Sequence, residues 1–263
     1  GRHPRAPRPA RAFTRRPGWF TLRGSTLHGR ELMENESRSA DEAARLRRVG
    51  AAVAGFVALL WVVQALAVTG DWSLRPLGIR PREPAGLVGV LAAPLVHASW
   101  SHLFGNTLPL LVLGTAMVFG TPRAARVALP VIWLAAGLAV WLFARPSVHL
   151  GASGLAYGMM FFVLAAGIAR RDRRSVALVL VVFFLHGGMI WGVLPLERGV
   201  SFEYHLAGAV AGVLAALPVA RRDPLPRRRK YAWEGKPIDD EHPAADLFTT
   251  GEDNAPPGDR RGP

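Results

Sequence analysis

The chain has 263 residues, no cysteine, 50% hydrophobic residues and a formal net charge of +13. Together these exclude a purely soluble globule, a basic disordered chain, a disulfide framework, a thiolate metal site and a cysteine nucleophile. Position resolves the tension between oiliness and charge. Of 32 basic residues, 21 lie before residue 50 or after residue 220, and the stretch between is nearly continuous Leu, Val, Ala, Gly, Phe and Trp.

Residues 1–49 are rich in Arg, Pro and Gly and read as a largely disordered cytoplasmic tail. Within it, SADEAARLRRV predicts one short helix leading into the bilayer, and residues 1–32 read as an extension upstream of Met33. A membrane core takes about 20 mostly apolar residues per helix. Six segments meet that length: 50–69, 102–120, 124–143, 153–169, 175–194 and 204–220. Their many glycines would weaken soluble helices, but small residues let membrane helices approach closely. The first apolar run is too long and too deep in the chain for a cleavable signal. Residues 221–263 return to Pro- and charge-rich sequence and read as a second disordered cytoplasmic tail. The fold class is therefore an all-α membrane protein, a six-helix bundle over 50–220 flanked by basic tails.

Arginine placement sets the expected orientation. With the N-terminus inside, 27 of the 32 basic residues fall on the inner side, leaving Arg75, Arg80, Arg82, Arg145 and Arg198 outside. Both termini are expected in the cytoplasm of a bacterial cell; about 30 arginines against 2 lysines suggest a GC-rich genome. The basic flanks read as topology control and attraction to anionic lipid, not as a nucleic-acid surface.

Polar groups inside membrane helices are costly, so they are functional candidates. Helices two, four and six are all entered from the outside. Their first turns carry His102 with Asn106, Ser153, and His205, which places all of these groups near one level. His102 and Asn106 are four apart, as are Ser153 and Tyr157, so each pair shares a face. His205, Gly208 and Gly212 also share one face. Gly154 and Gly158 are expected to meet Gly208 and Gly212, bringing helices four and six close enough for a serine to reach a histidine. His205 is then the natural base for the Ser153 hydroxyl. The Asn106 amide, the His102 ring and the Ser153 backbone N–H are donors for an oxyanion. Glu203 reads as lipid-facing, which leaves a dyad without a carboxylate.

The combination HxxxxHxxxN (His97, His102, Asn106), GxSG (Gly151 to Gly154) and HxxG (His205 to Gly208) resembles the rhomboid intramembrane serine proteases over roughly 95–215. The resemblance implies a Ser153 nucleophile, a His205 base, an aromatic Tyr157 packed on that base, and oxyanion support from His102 and Asn106. Gly151 belongs to the same motif. It also implies cleavage of transmembrane protein substrates in or beside their membrane segments, with no metal or organic cofactor. The chain departs from many members in lacking a Trp-Arg pair in the first loop, which reads LVGVLAAPLVH, and in carrying Tyr204 before the helix-six histidine.

His97 reads as a loop-structuring hydrogen bonder, His149 as a residue facing outer water and His186 as a packing group. Trp133, Trp141 and Trp191 read as lipid-facing or core aromatics. Two other function classes fit the bundle: a rhomboid-like protein that binds membrane clients without cutting them, and a histidine proton relay. A relay needs ionisable groups through the whole bilayer, and here the inner half is apolar.

Overall fold

A computed structural model describes residues 22–196 and 199–223. Among the described residues seven α-helices run in chain order: α1 (Leu22–Thr69), α2 (Val88–Ala92), α3 (Trp100–Gly120), α4 (Pro122–Phe143), α5 (Ser153–Arg170), α6 (Arg173–His186) and α7 (Phe202–Val219). Among the described residues there is no strand, only one bridge between Ile79 and His149. Six helices among the described residues are long and apolar enough to cross a membrane, and five begin and end within about two residues of the segments expected from sequence. The large apolar side chains they leave outside, such as Phe104 at 71%, Phe143 at 82% and Phe184 at 88% exposed, belong against lipid. This is an integral, multi-pass membrane protein.

The first helix differs from expectation. It begins at Leu22, well inside the stretch read as a disordered tail, while residues 1–21 and 224–263 lie outside the described residues. No proline interrupts the chain from residue 18 to residue 75, and the span before the membrane is rich in Glu, Ala, Leu and Arg, all good helix formers. Arg45 ties this extension to the bundle. Its guanidinium donates to the Phe119 carbonyl at 2.6 Å and lies 4.8 Å above the Phe119 ring.

The connection from α1 to α3 is folded. Pro84–Leu95 forms short helical turns around α2, and Gly137 of α4 gives Val90 the room to pack. The Arg82 guanidinium donates to the Leu142 and Ala144 carbonyls at 3.2 and 2.9 Å. Two indoles finish the attachment: Trp133 donates to the Leu91 carbonyl at 3.2 Å and Trp141 to that of Glu83 at 2.9 Å. Trp133 and Trp141 pack against the core, as one of the two readings expected, and also fasten the loop, whereas Trp191 is 65% exposed.

At the arginine-rich end, Asp223 accepts from the backbone N–H groups of Arg123 and Ala124 at 2.9 and 3.0 Å, capping α4 from a distant part of the chain. Arg170 donates to the Ala220 and Asp223 carbonyls and pairs with Asp172 at 3.2 Å. Burial alone would push the Asp172 carboxyl up. Hydrogen bonds from Ser175, together with the charge and hydrogen bond of Arg170, outweigh it and hold the carboxyl below its ordinary value. The ends of α5 and α7 and the start of α6 are thus tied together.

Candidate active site

Three helices start at the opposite end of the bundle, and each carries polar residues on its opening turns. Ser153 is the first residue of α5, His102 the third of α3 and His205 the fourth of α7. Helix starts present unpaired N–H groups and the positive end of the helix dipole. Serines cap two of them: Ser99 accepts from the His102 N–H at 3.1 Å and Ser201 from that of Tyr204 at 3.3 Å. The entry to α5 turns at Gly151, whose φ of 111° suits glycine. A side chain at position 151 would also run into the His102 imidazole. The Gly151 N–H donates to the Ala93 carbonyl at 2.9 Å, so the folded first loop supports the approach to Ser153.

His97 occupies the space behind this turn. It is 2% exposed, meets His102 edge to face at 5.2 Å, and its Nε2 accepts from the Ala152 N–H at 3.3 Å. That bond puts the ring proton on Nδ1, which is buried without a partner among the described residues. Burial, with the His102 ring alongside, pulls His97 down to about 4. Asn106 is also buried, and its side-chain nitrogen donates to the His102 carbonyl at 3.0 Å, which leaves its second N–H to point elsewhere.

Backbone contact joins α5 to α7. A Cβ on Gly208 would strike the Gly154 carbonyl, and one on Gly212 would strike that of Gly158. The four glycines read from sequence as a seam lie against each other. Tyr204 covers one end of it: the residue is 1% exposed and its ring occupies the space a side chain on Gly154 would need.

His205 is nearly buried, and Tyr157 stacks on it at 4.2 Å with the rings 6° from parallel. Its Nδ1 meets the Gly192 carbonyl at 2.8 Å. A carbonyl only accepts, so Nδ1 is the protonated nitrogen and, in the neutral ring, Nε2 carries the lone pair. Ser153 is half-buried at the first position of α5.

Two residues behave differently from their sequence reading, because their partners are far away in the chain. Glu203 is not lipid-facing: Arg145 holds it at 3.1 Å. His149 does not face water but is 2% exposed, with its Nδ1 2.6 Å from the Ser201 hydroxyl and its Nε2 3.1 Å from the Arg145 carbonyl. Burial lowers the His149 pKa, against the raising effects of that carbonyl and of Glu203. The two residues clamp the loop before α5 to the start of α7. His186 is buried at the end of α6, where its Nδ1 has no partner among the described residues.

The sequence has counterparts in known proteins. Residues 84–222 match the Rhomboid domain family. An uncharacterized protein of Mycobacterium tuberculosis is 40% identical over 199 residues, covering 72% of this chain and 83% of that protein. An uncharacterized protein of Mycobacterium leprae is 36% identical over 198 residues, covering 72% and 78%.

Proposed function

The chain belongs to the rhomboid family, and from that membership we propose that it is an intramembrane serine endopeptidase working through a Ser153–His205 dyad. The observation that carries the reading is the setting of His205. Tyr157 stacks on its ring and the Gly192 carbonyl accepts a hydrogen bond from its Nδ1–H, which leaves Nε2 as the proton-accepting nitrogen. The nucleophile stands at the head of α5, joined to α7 through the glycine seam.

In the proposed reaction a substrate's membrane segment, locally unwound, presents a peptide carbonyl above Ser153. His205 Nε2 takes the hydroxyl proton as Oγ attacks, and the resulting imidazolium returns it to the leaving amine. The oxyanion meets the positive end of α5, the Ser153 N–H, the second N–H of Asn106 and the His102 ring. The acyl-enzyme is then hydrolysed by water activated at the same nitrogen. The partners are transmembrane proteins, and both chain termini lie in the cytoplasm, with the site opening to the outer side. The charge distribution supports that orientation.

Reconstituted protein should be labelled at Ser153 by a fluorophosphonate and should cut a model transmembrane substrate. Ser153→Ala and His205→Ala should abolish both. Cleavage that survives either substitution would sink the dyad. Binding of the substrate with neither labelling nor cleavage would instead identify a non-cutting client binder. Asn106→Ala should lose about 10²–10³-fold in kcat, the cost of one oxyanion donor.

A further inference from the structure

We infer that Gly192 is a positioning residue for His205: its backbone carbonyl fixes which ring nitrogen carries the proton, taking the place that a carboxylate holds in a triad. The inference rests on the protease reading above and adds to it the element that makes the histidine competent.

The need for such a group follows from imidazole chemistry. A neutral ring has two tautomers, and only the one protonated on Nδ1 offers Nε2 as a base. Something must hold the Nδ1 proton. Among the described residues the nearest acid in sequence, Glu203, is held by Arg145. The Gly192 carbonyl is 2.8 Å from Nδ1.

The position of that carbonyl is informative. It lies near the end of the 3-10 turn Gly187–Val193, which continues α6. The last carbonyls of a helical segment lack partners within it and carry the negative end of its dipole. The carbonyl therefore both fixes the tautomer and stabilises the imidazolium that forms when Nε2 takes the serine proton. Residue type matters as much as backbone. A Cβ at position 192 would collide with the Tyr157 hydroxyl and come within 3.4 Å of His205 Nδ1. Only glycine lets the turn reach the ring while Tyr157 stays stacked upon it.

Two measurements test the assignment. In protein carrying ¹⁵N-labelled histidine, with the His205 signal identified by its loss in His205→Ala, the proton should sit on Nδ1. A proton on Nε2 in the neutral ring would overturn the proposal, and this readout needs no activity. Gly192→Ala should then lower kcat about 10²-fold, as small misplacements of reacting groups do, with KM near wild type. Removing the colliding hydroxyl by Tyr157→Phe in the Gly192→Ala background should recover part of the loss, which a general folding defect would not. Gly192→Ala with wild-type kcat overturns the assignment. If Ser153→Ala leaves cleavage intact, the protease reading has failed instead, and the nitrogen signal still decides the role of Gly192.

Discussion

The α5–α7 pair and α6 are both membrane helices of ordinary composition, yet they are held in opposite ways. Buried residues make up 67% of α5 and 50% of α7, but about 11% of the span formed by α6 and its 3-10 extension. In the seam, backbone lies on backbone at Gly154, Gly158, Gly208 and Gly212. In α6, close ties gather at its start. There Gly167 admits Val179, Gly120 admits Leu178, and Arg170, Asp172 and Ser175 form a clasp. Towards its other end Val182 and His186 are buried, but Phe183, Phe184 and Leu185 between them are exposed. A protein proposed to use both regions at one imidazole thus takes its nucleophile and base from the rigid region, and its tautomer-setting carbonyl from the loosely packed one.

The largest expected effect comes from breaking the seam. Gly208→Val drives a branched side chain into the Gly154 carbonyl, at or beyond the upper end of the about 1–3 kcal/mol that overpacking costs. Thermal unfolding in detergent should show a large fall, with cleavage lost. A wild-type melting temperature would mean the seam is not rigid. Asp223→Ala removes the remote cap from α4 and should cost about 1–2 kcal/mol in the same measurement.

A pH series sharpens the contrast at the start of α5. Folded His97 titrates at about 4 against an ordinary 6.5. Between those values the unfolded chain binds more protons, so this contribution is fully present above about pH 6.5 and is lost as pH falls towards 4. Melting temperature should therefore decline over that window, and His97→Gln should flatten the decline. The smallest effect belongs to the lipid-facing side of α6. Phe184→Ala should change stability by no more than about 0.5 kcal/mol, and a larger loss would show that this end of α6 is better held than its exposure implies.

Much of this contrast was legible in the sequence. Apolar runs located five of the spans closely, and glycine spacing of four on helices four and six predicted which faces meet, because both signals are local and periodic. The packing of Tyr157 on the histidine came only from the resemblance to the rhomboid proteases; spacing alone placed Tyr157 on the face of Ser153. What escaped depended on partners distant in sequence. His149 needs Ser201, Glu203 needs Arg145, and Trp133 and Trp141 need carbonyls of the first loop. No periodicity encodes those pairs. Gly192 carried a faint signal, a glycine at the end of an apolar run, but one glycine among 28 points to nothing until the ring it touches is known.

The equal spacing of the two glycine pairs has one more consequence. A slide of α7 along α5 by one or two residues would press side chains into carbonyls. The next alignment in which glycine again meets glycine is four residues away, about 6 Å along the axis, and it would match one pair only. The relative height of Ser153 and His205 is therefore quantised like a vernier scale, and small errors of assembly have no resting place.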